Sequence, residues 1–355
     1  MSERLGKLRD EMLGDGLDAL LITDNINIRY LSGFTGSYAV LLVTGDTAFL
    51  LTDSRYAEQA AAECPDFVLE PVEYEWIPAA QSLVERLELR CVGFEAGDLS
   101  YEDWHELGAA LPFGELIPAS DPAGRLRMVK DEAELSAIRE AVRIADLAYE
   151  HIRQILEPGM AERDVALEID CFVRKAGAEK EAFDSIVASG PRSALPHGKP
   201  TGKRISEGEL VILDFGATWR GYHSDITRTI LIGSPDSRQE EIYRTVLEAQ
   251  SKAVTAVRAG VKGREVDAVA RDYIAGKGYG EYFGHGLGHA LGLAVHEGRV
   301  LSRRSDVVLQ AGMVLTVEPG IYIPGWGGVR IEDDVVVTDS GAEVLTRSPK
   351  VLSLR

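Results

Sequence analysis

The sequence predicts two domains in series: an α/β domain over residues 1–122, then an α+β domain over residues 123–355 made of two similar halves. Three observations lead there. A chain of 355 residues is too long for one ordinary domain and suits two. Its first third alternates strand-like and helix-like segments, the mark of a compact α/β unit. Its remainder repeats itself. EPGMAERDV (157–165) matches RAGVKGREV (258–266) in spacing, and EGELVILDFG (207–216) matches AGMVLTVEPG (311–320). The two pairs occur in the same order at nearly the same offset, which argues against chance and for an internal repeat.

Taken in order, residues 3–13 read as a short amphipathic helix and Leu17–Thr23 as a strand. Tyr38–Thr44 and Thr47–Thr52 are strands joined by Gly45-Asp46, a hairpin signal. Arg55–Glu63 reads as a helix stopped by Pro65. Short strands follow at Phe67–Leu69, Cys91–Phe94 and Glu115–Ile117, separated by helices near Ile77–Leu87 and Tyr101–Ala110. Ile117–Arg125, IPASDPAGR, is rich in turn formers and reads as the linker. From Asp131 to Leu156 apolar residues recur at helical spacing until Pro158-Gly159. A second helix near Glu162–Ala176 follows, then strands at Ser185–Ser189, Glu209–Ala217 and Tyr222–Ile232. Helices at Gln239–Ala259 and Gly263–Ala275 start the pattern again.

Composition narrows the function. Hydrophobic residues at 45% and charged residues at 27% are the balance of a globular protein with ample core. A formal charge of −19 argues against nucleic acid and anionic membranes as partners. No run approaches the roughly 18 apolar residues of a membrane span, and the N-terminal MSERLGKLRDEM has no apolar signal core. A cytoplasmic protein is expected. Cys64, Cys91 and Cys171 are far apart without CxxC spacing, and read as buried thiols in a reducing compartment.

The repeated segments carry the chemistry. In each, an acid stands six residues after one glycine and two before the next: Asp214 in VILDFG and Glu318 in VLTVEPG. A second acid opens the following strand in each half, Asp225 before ITRTILI and Glu332 before DDVVVT. Acids embedded in apolar strands are rarely buried unless paired or bound to metal. If the two hairpins face each other, four carboxylates converge. They cannot all stay ionised without compensating cations, and two divalent metals would supply these. The stretch GHGLGHALGLAVHE (284–297) holds three of the seven histidines, His285, His289 and His296. The i, i+4 pair suggests a helix, but glycine at every second position opposes one by roughly 1 kcal/mol each; a loop or irregular strand passing close to other backbone is the better reading. No Glu follows His285, so this is not the HExxH zinc pattern. Four carboxylates with one imidazole form a hard, oxygen-rich set that suits Mn²⁺, Co²⁺ or Zn²⁺ better than a thiol-seeking metal. A pair of such ions serves amide hydrolysis.

On these residues the second domain resembles the pita-bread metallopeptidases, the family of methionine aminopeptidase, aminopeptidase P and prolidase. The resemblance spans the chain, including a creatinase-type N-terminal domain. It implies that Asp214 binds one metal, that Asp225 in HSDITR and Glu332 in VRIEDD bridge two, and that His289 and Glu318 bind the second. It implies catalytic roles for His197 in LPHGKP, His296 in VHE and Glu318 in VEPG, and active-site places for His285 and Arg330. The cofactor expected is a pair of divalent ions, Mn²⁺ first. The activity expected is hydrolysis of the Xaa–Pro bond at the N-terminus of peptides with proline second, by a homodimer. TDSRYAEQA (52–60), with Arg55 and Tyr56, resembles the aminopeptidases more than the prolidases, which makes Xaa-Pro aminopeptidase the first expectation and Xaa-Pro dipeptidase the alternative. A metal-free enzyme or a non-catalytic binding module on the same fold would be expected to lose metal ligands.

Overall fold

In the computed structural model, which describes residues 2–109 and 115–354, the chain divides into two units, Met1–Arg127 and Met128–Arg355. The first is built on strands β1 (Ala19–Ile22), β2 (Val40–Thr44), β3 (Ala48–Asp53), β4 (Val68–Val72), β5 (Cys91–Glu95) and β6 (Glu115–Ala119). They form one sheet in the order β4-β3-β2-β1-β5-β6. The β1–β2 and β2–β3 pairs are antiparallel and the β1–β5, β3–β4 and β5–β6 pairs parallel. β1 and β2 are buried along their whole length, as continuous apolar runs in a central strand should be. Helices α1 (Ser2–Gly14), α2 (Asn25–Ser32), α3 (Ala57–Glu63), α4 (Trp76–Arg86), α5 (Tyr101–Ala109) and α6 (Pro122–Arg127) complete the unit. Ala110, the expected end of α5, lies outside the described residues.

One helix is added here and one expectation changes. NINIRYLS (25–32), for which the sequence predicts no element, forms α2: Asp24 caps its start by accepting the Ile26 N–H at 2.9 Å, and Gly33 closes its end in the left-handed region, donating to Arg29 O at 2.8 Å. The stretch expected as a linker is instead the end of β6 followed by α6. Pro122 opens that helix, where its missing N–H does no harm, and Asp121 Oδ1 accepts the Gly124 N–H at 2.8 Å. The division therefore falls after Arg127 rather than after Pro122. Arg127 is held inside the first unit, donating to Asn27 Oδ1 at 2.5 Å. Asn27 in turn donates to Glu95 Oε1 at 2.6 Å, and Glu95 Oε2 accepts the Thr23 and Asp24 N–H groups at 2.8 Å each.

The second unit repeats a motif. Its first half has α7 (Glu132–Ile155), α8 (Glu162–Lys175), β7 (Lys180–Glu181), β8 (Ile186–Ser189), β9 (Leu210–Phe215), β10 (Ala217–Trp219), β11 (Tyr222–His223) and β12 (Ile226–Ile232). The second half has α9 (Ser237–Ala256), α10 (Gly263–Gly276), β13 (Gly288–Ala290), β14 (Gly298–Leu301), β15 (Val314–Val317), β16 (Gly320–Ile323), β17 (Gly327–Arg330), β18 (Asp333–Val337) and β19 (Ala342–Val344). A last strand, β20 (Ser353–Leu354), joins β12, β9 and β8 in the first half's sheet; the second half's sheet runs β14-β13-β15-β18-β19.

The correspondence reaches single bonds. Both long helices begin with a capping box, Asp131 with Glu134 and Asp236 with Gln239. Gly159 N–H donates to Ile205 O and Gly260 N–H to Leu309 O, both at 2.8 Å. Arg163 N–H donates to Thr201 O and Arg264 N–H to Ser305 O, at 3.0 and 3.1 Å. Each helix pair packs its apolar face on its own sheet, Ile144, Tyr149 and Ile169 in one core, Ile242, Val246 and Ile274 in the other.

Burial pushes the Glu95 carboxyl up to about 7, against the opposing pull of the three donors. The folded chain thus binds this proton more tightly than the unfolded chain does. The proton's stabilising contribution is complete below the ordinary carboxylate pKa of about 4.3 and fades as pH rises through about 7. Hydrogen-exchange protection of residues 19–32, corrected for intrinsic rates, should fall between about pH 5.5 and about pH 8. It should stay flat in Glu95→Gln, which keeps an acceptor for the two amides.

Candidate metal centre

Each half delivers its two acids by the same local construction. Asp214 lies near the end of β9, and Asp225 just before β12, its antiparallel partner; the register pairs Thr227 with Asp214. Glu318 directly follows β15, and Glu332 directly precedes β18, its antiparallel partner. His289 sits in β13, which pairs with β15. Asp214, Asp225, His289 and Glu332 are all buried.

The halves are sewn together behind these groups. Asp225 N–H donates to Asp334 Oδ2 at 2.9 Å and Glu332 N–H to Thr227 O at 3.1 Å. Arg228, 1% exposed, donates to Thr227 O at 3.0 Å, to the Glu332 carbonyl, to Asp333 Oδ1 at 2.8 Å and to Ser348 O at 2.8 Å. A fully buried guanidinium requires such a complete set of acceptors.

Asp225, His289 and Glu332 bring one ligand atom each within 4.8 Å of one another. His289 Nε2 stands 3.6 Å from Asp225 Oδ2 and 3.5 Å from Glu318 Oε1. Its Nδ1 lies 3.1 Å from Ala290 O; a carbonyl only accepts, so Nδ1 carries a hydrogen and Nε2 is the nitrogen turned toward the carboxylates. Asp225 Oδ1 is buried without a hydrogen-bond partner. Burial first, then the neighbouring carboxylates, raises Asp225 and Glu332 well above the ordinary acid range; burial also raises Glu318, opposed by His289 and Arg330. An inward-turned ring nitrogen, an orphaned carboxylate oxygen and mutually repelling acids make a donor set that fits divalent cations.

Arg330 is buried at the back of the cluster. It pairs with Asp214 through Nη2, donates from Nε to Thr227 Oγ1 at 3.0 Å, and from Nη1 to Tyr322 Oη at 2.7 Å. His285 Nδ1 donates to Gly286 O at 2.7 Å, leaving Nε2 to accept from Tyr322 Oη at 3.0 Å. Burial, then the Arg330 charge, pushes the His285 imidazolium down to about 4, and burial pushes the Tyr322 hydroxyl up to about 12. The chain Arg330–Tyr322–His285 is therefore locked in one protonation state near neutral pH. His296 is exposed, with its ring 4.2 Å from that of His289. His197 is exposed on the loop after Leu195. Both line a cavity of about 1020 Å³, together with Asp214, Asp225, His285, His289, Glu318, Arg330 and Glu332. All nine residues expected in the site thus border one cavity.

Sequence reasoning missed others. Tyr322 follows Glu318 by four residues on a short strand, and nothing in its spacing marks it. Thr227 donates to Glu332 Oε2 at 2.5 Å, and Thr316 both accepts the His289 N–H at 3.0 Å and donates to Glu318 Oε1 at 3.2 Å. Arg299, Arg303 and Arg304 are exposed on the cavity wall with no ion pair among the described residues. Of the cysteines expected to be buried, Cys64 is, whereas Cys91 and Cys171 are half-buried; all are free.

Two similar helix-pair-and-hairpin halves closing on a buried acid cluster define the pita-bread class, here preceded by a creatinase-type domain. Comparison with known proteins agrees. Residues 136–339 match metallopeptidase family M24, and residues 4–129 match the creatinase/prolidase N-terminal domain. The chain belongs to metallopeptidase family M24, and divalent metal ions come with that family. It is 41% identical over 356 residues to the Xaa-Pro dipeptidase of Pyrococcus horikoshii, covering 99% of both chains. A solved Xaa-Pro dipeptidase from Bacillus anthracis superposes with a TM-score of 0.97 at 46% identity, covering 99% of each. An X-Pro aminopeptidase from Thermotoga maritima superposes at 0.90 with 42% identity, over 95% of this chain and 97% of that one.

Gly288, beside His289, is explained by close approach. A Cβ on Gly288 would meet Thr316 O at 2.0 Å. Gly288→Ala should push β13 off β15 and move His289 away from Asp225 and Glu318. The expected result is a drop in metal affinity of about tenfold to a hundredfold, as for a disturbed metal-supporting contact, measured by competition with a chromophoric chelator.

Proposed function

We propose that the chain is a two-metal Xaa-Pro dipeptidase. The observation that carries this reading is the convergence of Asp225, His289 and Glu332 within 4.8 Å, with Asp214 and Glu318 on the same cavity, in a family whose close relatives include proteins named Xaa-Pro dipeptidase. Those five residues would hold the ions, Mn²⁺ first with Co²⁺ and Zn²⁺ as alternatives, and the ions would supply an activated water and a polarised carbonyl. The chain's own groups do the rest. Glu318, steadied by Thr316, takes a proton and returns it to the leaving nitrogen. His296 and His197, on the cavity wall, donate to the oxygen that gains charge in the transition state. His285, Tyr322 and Arg330 keep Asp214 in place. The protein acts in the cytoplasm as a homodimer.

The choice of dipeptidase reverses the first expectation. TDSRY carries little weight on the structure: Arg55 pairs with Asp53 at 2.6 Å and lies 5.7 and 5.6 Å from the Tyr38 and Tyr56 ring centres, a local arrangement of the N-terminal unit. A dipeptide brings a free carboxylate, which calls for a cation, and Arg299, Arg303 and Arg304 stand on the cavity wall without acid partners among the described residues. The second reading is aminopeptidase, favoured by the likeness to the Thermotoga maritima protein.

Chelation should abolish hydrolysis, and Mn²⁺ or Co²⁺ should restore it; full activity in protein shown metal-free by elemental analysis would refute the reading. His296→Ala should lower kcat by about 10²–10³, the range for removing one oxyanion donor, with its metal retained. Glu318→Gln should lose more, because ligand and base go together. If His296→Ala loses its metal instead, the residue belongs among the ligands. On substrates, kcat/KM for Ala-Pro should exceed that for Ala-Pro-Ala by at least about tenfold, the size of one charged contact of about 1.4 kcal/mol. The reverse order makes the protein an aminopeptidase.

A further inference from the structure

The mechanism leaves unused a pair of charges buried one residue from His296. Lys130 Nζ and Glu297 Oε2 are 2.8 Å apart, and both side chains are 1% exposed. Taking two full charges out of water is expensive, and an apolar pair of the same size would serve folding as well or better. What the pair holds is specific. Glu297 Oε1 accepts the N–H groups of Leu293 and Ala294, at 3.0 and 3.4 Å, while its own N–H donates to Ala290 O at 2.9 Å. The carboxylate therefore closes the loop 291–297 from inside. Gly292 lacks a side chain where that carboxylate lies, since a Cβ there would meet Glu297 oxygens at 2.6 and 2.8 Å. The loop presents Val295 and His296 to the cavity.

The other end of the pair is anchored just as firmly. Lys130 N–H donates to Gly312 O at 3.0 Å, Val129 bridges to Met313, and Lys130 Nζ also reaches Met128 O at 3.3 Å. Gly312 and Met313 lead directly into β15, which Glu318 directly follows. One buried ion pair thus ties the loop of His296 to the root of the strand that carries Glu318.

We propose that Lys130 and Glu297 are a positioning pair that sets the His296 imidazole relative to Glu318. Their side chains reach each other and the backbone of Met128, Leu293 and Ala294, and they act through His296. The proposal rests on the peptidase reading above for its effect on turnover, but not for its effect on His296. A lengthened or loosened tie lets the imidazole drift from the oxygen it serves, and misplacement on the scale of an ångström is enough to slow a reaction substantially.

The test is Lys130→Met combined with Glu297→Gln, which leaves no stranded charge and keeps an acceptor for the two loop amides. The protein should fold and bind metal at the wild-type stoichiometry. Its kcat should fall about tenfold, with KM within about twofold, and the loss should vanish when the same changes are made in His296→Ala. Independently of activity, the imidazole NMR signal of His296, assigned by its absence in His296→Ala, should shift while that of His105 stays. Wild-type kcat with an unmoved His296 signal overturns the proposal. So does an equal loss of kcat in the two backgrounds, which would mark a general structural effect. If the double variant does not fold, Lys130→Arg, which keeps the charge but lengthens the tie, enters the same comparison under the same criteria. An inactive wild-type protein would refute the peptidase reading and leave the NMR shift to decide this one.

Discussion

Mutual repulsion among buried acids is the constraint around which the second unit is built. Asp214, Asp225, Glu318 and Glu332 are brought together in a low-dielectric core, and burial with like charge drives Asp225 and Glu332 far from their ordinary ionisation. A fold that gained nothing from this arrangement would bury apolar groups there instead. Everything near the acids can be read as a response. Arg330 offsets Asp214, Thr227 and Thr316 donate to the glutamates, and His289 turns its Nε2 inward. Arg228 threads between the halves to hold the backbone on which Glu332 stands. The residual demand for positive charge is what makes the site a binding place for cations.

Much of this was legible in the sequence because the acids break a pattern. An aspartate after LVIL and a glutamate after VLTV contradict the strand periodicity around them, and the contradiction appears twice, at matching places in two repeats. The histidine-rich segment was legible for a related reason: its glycines forbid a helix, so the histidines had to serve an irregular backbone. Gly288, packed against Thr316 O, bears that out.

The rest was hidden for identifiable reasons. Tyr322 and Thr227 act through hydrogen bonds across 8 and 105 residues of sequence, and a tyrosine or threonine in a strand is unremarkable by itself. α2 is short and is closed at both ends, by the capping Asp24 and the left-handed Gly33. Ile117–Arg125 has a linker's composition, but a proline at the start of a short helix and a proline inside a loop look alike until the neighbours of Arg127 are known. The TDSRY segment does not discriminate between the two activities. Relatives of nearly equal identity carry both activities in their names.

The division of ligands between two halves also bears on when the protein can act. Of the proposed ligands, Asp214 and Asp225 belong to the half synthesised first; His289, Glu318 and Glu332 arrive with the second. Neither half offers more than a fragment of the centre, and the two are joined by contacts such as Arg228 with the Glu332 carbonyl that form only when both have folded. A growing chain, even one whose first half has already packed its helices on its sheet, has no complete cation centre. Splitting the site across the repeat works as a built-in timer: the candidate centre is complete only after both halves have folded.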